Sequence, residues 1–203
     1  AYMFLDEIAS AGQKIWQVLP LGPTGYGDSP YQSPSTFAGN PLLIAFDLLL
    51  EDGLLKEEDL AEIPWLDPAK VDFGAAVWYR PPVLKKACAR FLDQAKDSPS
   101  IQASFEKFCR DEAFWLDDYA LFTAIKQSQD LRPWYEWPEE LAQRDPDALA
   151  TASEELADAV TEVKVLQFLF DLQWRRLRRR ANDLGITIVG DIPIFVAHDS
   201  ADV

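Results

Sequence analysis

The chain has 203 residues, 48% of them hydrophobic, and its 34 acidic against 19 basic residues give a formal net charge of −15. That is enough chain and apolar content for one sizeable core, and the acidic balance argues against nucleic acid or anionic membrane as partner. No apolar run reaches the roughly 20 residues of a transmembrane helix, and two cysteines with one histidine make no zinc cluster. No signal peptide is recognisable. Ala1 falls inside a helical pattern, so the expectation is that the native N-terminus lies further upstream.

Leu5, Ile8 and Ala9 repeat at helical spacing over residues 2–10, and Gly12 stops that helix. An apolar strand is predicted over Ile15–Leu21. A loop of unusual content follows, up to Pro41. Its glycines permit tight turns, and Pro23, Pro30, Pro34 and Pro41 stiffen it. Between them stand Tyr26, Asp28, Ser29, Tyr31, Gln32 and Asn40, with no Lys or Arg anywhere in the stretch. Absent positive charge argues against phosphate. Sugars fit better, because they offer C–H faces to Tyr rings and hydroxyls to Asp, Asn, Gln and Ser. The same composition also fits an ordinary connecting loop with packed tyrosines.

A short apolar segment then reaches Leu50 and turns at Glu51-Asp52-Gly53. Residues 63–80 read as irregular. A helix is predicted from Pro82, with Leu84, Cys88, Phe91 and Ala95 on one face. A longer helix carries Ile101, Phe105, Phe108, Trp115, Tyr119 and Phe122. Pro133 and Pro138 break the pattern. Thr151 and Glu154 read as a capping box that opens a helix of about 30 residues through Leu156, Val163, Phe170 and Leu177. Gly185 ends it, the strand Ile186–Val189 follows, and Gly190-Asp191-Ile192-Pro193 makes a second proline-containing loop. Helix, glycine, apolar strand and loop therefore occur twice. That is the αβ step of a parallel α/β fold, with strands buried on both faces. The aromatic stripes between read as core, Cys88 and Cys109 as reduced core thiols, and the arginines of 175–180 as salt-bridge partners.

Several chemistries are absent. Gly25-Tyr26-Gly27-Asp28-Ser29 has neither phosphate-loop nor dinucleotide spacing, and Ser29 lacks the second glycine of a nucleophile elbow. His198 has no second His or Cys beside it; a substrate contact is one reading, and a solvated loop residue fits better. Asp191 directly follows a strand and a glycine, so it belongs at a strand's C-terminal rim, where acids bind or catalyse. A turn-capping role fits it equally.

Residues 16–44, WQVLPLGPTGYGDSPYQSPSTFAGNPLLI, resemble the N-terminal signature of the 4-α-glucanotransferases of glycoside hydrolase family 77, the amylomaltases or disproportionating enzymes. Residues 185–203, GITIVGDIPIFVAHDSADV, resemble the same family's next conserved segment. The resemblance covers the whole chain. It implies a partial (β/α)8 TIM barrel with a large, mostly helical insertion: residues 1–50 a first barrel segment, 51–150 the insertion, and 151–203 a long helix returning to the Asp191 strand. It implies retaining transfer of α-1,4-glucan segments between maltooligosaccharides in the cytoplasm, without cofactor or metal. Tyr31, Ser29 and Asp28 would lie at the sugar next to the scissile bond, and Asp191 near that bond. Tyr26 would make a remoter contact, and Asn40 a weaker one. The family's nucleophile lies in an Arg-x-Asp-His-like segment and its acid/base in a Glu-Asp-Leu-Gly-like segment. Neither stands in this chain, so the expectation is an N-terminal part that binds substrate and does no chemistry alone. A related α-glucan hydrolase and a non-catalytic glucan-binding fragment are the alternatives.

Overall fold

The computed structural model describes residues 1–203 apart from the side chain of Tyr26, so the Tyr26 contact expected above lies outside the described residues. Among the described residues, eight α-helices and four short strands follow in chain order: α1 Tyr2–Ser10, β1 Ile15–Gln17, β2 Gln32–Ser33, α2 Phe46–Glu51, α3 Phe73–Asp97, α4 Pro99–Asp111, α5 Ala113–Ser128, α6 Glu139–Ala142, α7 Pro146–Glu155, α8 Ala157–Asp183, β3 Thr187–Val189 and β4 Phe195–Val196. The chain is mostly helical. Its strands form two parallel pairs, β1 with β3 (Trp16 opposite Ile188) and β2 with β4 (Gln32 opposite Phe195).

The two αβ steps end alike. After α1, the Gly12 and Gln13 N–H groups return to the Ala9 and Ile8 carbonyls; after α8, Gly185 and Ile186 return to Asn182 and Ala181. Each is a Schellman ending with a left-handed glycine, φ 75° at Gly12 and 68° at Gly185. The equal endings launch β1 and β3 in the same direction, and Leu5, Ala181 and Ile186 pack beneath the pair.

Two strand expectations are corrected. The first strand is regular only over 15–17, although Val18 still donates to Val189. Within this chain the strands are covered on one face only: Ile15 is 64% exposed and Val189 42%, and α1 and α8 pack on the other side. Helix limits also differ. α3 begins at Phe73, capped by Asp72 Oδ1, which accepts from the Ala75 N–H at 2.8 Å, and Pro81 and Pro82 lie inside it. Both prolines face solvent, where the carbonyls they release meet water. The expected single helix through 101–122 breaks at Glu112 into α4 and α5. Asp145, not Thr151, caps α7: its Oδ1 accepts from the Asp147 and Ala148 N–H groups.

The main core joins α2, α3, α4, α5 and α8. Phe168 of α8 meets Phe91, Phe105 and Phe108 with ring centroids 5.4–5.5 Å apart. Burial pushes the Cys88 thiol in this core up to about 12. Arg175, Arg176 and Arg180 pair with Asp171, Asp52 and Asp6.

α8 also holds the return of the long loop. Gln167, 2% exposed, accepts from the Gly39 N–H at 2.8 Å and donates to the Gly39 carbonyl at 2.9 Å. Gln173 does the same for Ala45, at 2.7 and 3.1 Å. Gly39 has no room for a side chain: a Cβ there would lie 2.1 Å from the Phe170 ring. Further out, Asp59 accepts from Arg90, from Lys86 at 3.5 Å and from the Lys56 N–H at 2.9 Å, which holds its carboxyl well below the usual carboxylate range.

Gln167→Ala strands two buried backbone groups, at about 1–3 kcal/mol for each unpaired group. The expected outcome is a loss of about 2–4 kcal/mol in urea unfolding, with an unchanged m-value. A loss below about 1 kcal/mol would show that the loop closes without this clamp.

Asp59 gives a second test. Its folded pKa lies below its ordinary 3.8, so it adds stability above that pH and loses it as pH falls toward the folded value. Asp59→Asn should lower stability at pH 7 and flatten the acid limb below about pH 4. Parallel pH–stability curves for the two proteins would refute this.

Candidate functional site

The two parallel pairs bring residues 26–40 and 190–202 together at one end of the sheet. β1 and β3 run side by side, and both loops leave from that end. Further along the two loops, β2 and β4 meet again.

Tyr31 and Asp191, 160 positions apart, are in direct contact there. The Tyr31 phenol donates to Asp191 Oδ2 at 2.8 Å, and the Ile192 N–H donates to Oδ1 at 2.8 Å. The hydrogen bond to Asp191 is the chief cause that raises the Tyr31 pKa; desolvation and the nearby carboxylate charge add to it. Both side chains keep accessible surface, and Tyr31 is 37% exposed. The phenol is thus held at its oxygen while its ring stays available.

Ser29 lies beside them, its Oγ accepting from the Tyr31 N–H at 3.3 Å. Asp28 is exposed, with left-handed backbone at φ 56°, a conformation Asp tolerates better than most residues. Asp28 and Asp191 belong to no ion pair among the described residues. Asn40 stands apart. It is 8% exposed, and its Oδ1 accepts from the Leu42 N–H at 2.9 Å to cap the turn Pro41–Leu43. The structure therefore joins Tyr31, Ser29 and Asp191, and gives Asn40 a capping contact.

Sequence reasoning missed two groups at this rim. Thr36 donates through both its N–H and its hydroxyl to Asp202 Oδ2, at 2.7 and 2.5 Å. His198, read as a solvated loop residue, is indeed exposed, and it also stacks on Tyr135 with ring centroids 5.2 Å apart, while Trp134 meets it edge-on at 5.3 Å. No local pattern announces either contact. The Pro133-Trp134 break was the only signal.

Residues 1–203 match a family model described as 4-alpha-glucanotransferase. A 4-alpha-glucanotransferase of Thermus thermophilus is 47% identical over 200 residues, which cover 98% of this chain and 39% of that protein. One from Synechocystis is 43% identical over 203 residues, covering 100% of this chain and 40% of the relative. Among solved structures, the amylomaltase of Streptococcus agalactiae in complex with acarbose superposes with a TM-score of 0.92 at 37% identity, over 99% of this chain and 40% of that one. The chain spans about two fifths of the length of these relatives.

The Tyr31 contact can be tested by titration. Removing the carboxylate by Asp191→Ala removes the chief cause of the raised pKa. In a spectrophotometric titration near 295 nm, one tyrosine should then ionise at lower pH than in the wild type. Superimposable curves would mean that the pair does not form in solution.

Proposed function

Because the chain belongs to the 4-alpha-glucanotransferase family, we propose that it forms the substrate-holding part of an enzyme that moves α-1,4-glucan segments between maltooligosaccharides. The observation that carries this reading is the Tyr31–Asp191 pair. An aromatic face and a carboxylate are locked together, on a loop free of Lys and Arg, at the end of a parallel strand pair. A sugar ring laid on the open phenol face buries its C–H groups, and its hydroxyls reach Asp191, Ser29 and Asp28.

Retaining transfer needs a nucleophilic carboxylate and a carboxylic acid about 5–5.5 Å apart. We assign neither to this chain. Asp191 instead accepts hydrogen bonds from the sugar at the reacting centre, and its negative charge favours the oxocarbenium-like transition state over the neutral ground state. The Tyr31 phenol and the Ile192 N–H fix the carboxylate's orientation, one oxygen each. No cofactor enters this scheme. The β1–β3 pair reads as two neighbours of a partial (β/α)8 barrel, residues 51–150 as an inserted helical part, and residues 151–203 as the return to the second strand. No helix among the described residues is long and apolar enough to cross a membrane. A cytoplasmic enzyme acting on neutral glucans is the matching proposal.

The test is Asp191→Asn in the full-length protein, assayed by maltotriose disproportionation. A contact made mainly in the transition state lowers kcat and kcat/KM together. The expected result is a loss in kcat on the order of tenfold or more, with little change in KM. Normal turnover would overturn the role given to Asp191. Release of free glucose without longer transfer products would favour a hydrolase.

A further inference from the structure

Within this chain, the segment that carries Asp191 pairs with one short strand. β4 pairs with β2 over two residues only, too short to fix a register by its own hydrogen bonds. A slip of one residue would turn every side chain of the segment to the opposite face. Tyr31 directly precedes β2 and Asp191 lies four residues before β4, so the register of this pair decides whether phenol and carboxylate meet.

Two further carboxylates anchor the segment just beyond β4. Asp202 Oδ2 takes both donors of Thr36, and next to it the Ala201 N–H donates to the Pro34 carbonyl at 2.9 Å. That ties the segment to the Tyr31 loop. Asp199 faces the other way. Its Oδ1 accepts from the Trp134 N–H at 3.2 Å, its Oδ2 pairs with Lys126 of α5, and the Trp134 indole donates to the His198 carbonyl at 2.7 Å. That ties the same segment to the helices. We propose that Asp202 and Asp199 are positioning residues: together they set the register of β4 on β2 and so hold Tyr31 and Asp191 in contact.

Stability alone does not account for the outer clasp. Thr36 and Asp202 are both exposed, and exposed polar pairs add little to folding. What the clasp fixes is geometry. Displacement of a substrate-positioning group by about 1 Å costs up to about a hundredfold in rate.

The catalytic consequence rests on the glucan-transfer reading; the geometric one does not. In the full-length protein, Asp202→Ala should lower kcat for maltotriose by about tenfold, with KM changed by less than about threefold and melting nearly unchanged. Asp202→Asn should recover to within about threefold, since its amide oxygen still accepts from Thr36. Asp199→Ala should lower kcat likewise, with an added loss in melting temperature from the unpaired, half-buried Lys126. Thr36→Val, which keeps the N–H, should fall between wild type and Asp202→Ala. An Asp202→Ala enzyme with kcat within about twofold of wild type would overturn the proposal, as would equal losses in the Ala and Asn variants.

If the wild-type protein transfers no glucan, the function proposed above fails, and amide exchange decides this inference. Asp202→Ala should then speed exchange at Gly25 and Gln32, whose N–H groups bond to Gln32 and Ser29 carbonyls in the Tyr31 loop, by about tenfold. Unchanged exchange there would overturn it.

Discussion

Two glutamine side chains hold the position of the whole candidate site. Gln167 and Gln173 each give a backbone residue, Gly39 and Ala45, one donor and one acceptor, as a neighbouring strand would. The Gly39 groups are buried and the Ala45 groups part-buried, and an unpaired amide inside a protein costs about 1–3 kcal/mol. The clamps are six residues apart on α8 and six apart on the loop, so the loop's return is fixed at two points along one rigid helix. The same helix launches β3 through Gly185. One element therefore places both halves of the Tyr31–Asp191 pair.

Charge is distributed to match. The helices spend their cations on structural carboxylates: Arg176 on Asp52, Lys164 on Asp117, Arg90 and Lys86 on Asp59, and Lys126 on Asp199. The rim keeps acidic and hydroxyl groups, and its two central acids, Asp28 and Asp191, have no cation partner among the described residues. Such a surface disfavours anions and leaves lone pairs free for hydroxyl donors. Of the net charge of −15, the part at the rim includes Asp28 and Asp191, which belong to no ion pair among the described residues.

The parts of this arrangement that were legible in the sequence are the local ones. Gly12 and Gly185 announce the two helix endings, because only a residue free to adopt positive φ closes a Schellman turn at low cost. Asp191 stands out because it follows a strand and a glycine. Tyr31 stood out for its loop's composition, and the family resemblance joined it to Asp191 as a sugar contact. The contact between them was not legible, since it depends on a pairing of two strands of two residues each, which leaves no alternating pattern. The glutamine clamps were hidden for the same reason: each joins residues 128 apart through one side chain. The helix limits failed where a strong local signal was overruled. Pro82 resembles a helix start, yet α3 runs through Pro81 and Pro82 because both lie on its solvent face. Thr151 resembles a cap, yet it sits within α7 and its hydroxyl donates to the Asp147 carbonyl.

Within this chain the strand pairs are short and lie open to one side. β1 and β3 pair over three residues with Ile15 and Val189 exposed, and Phe195 and Val196 of β4 are 70% and 61% exposed. Two-stranded ladders of this length are marginal alone. The site is nevertheless defined by specific contacts, because both loops are anchored outward rather than inward: the first to α8 through Gly39 and Ala45, the second to α5 and Trp134 through Asp199. The Thr36–Asp202 clasp joins the two. Precision at Tyr31 and Asp191 then comes from helices packed around the Phe168 cluster, part of the most extensive core cluster among the described residues. The strands set direction, and the helical core sets distance.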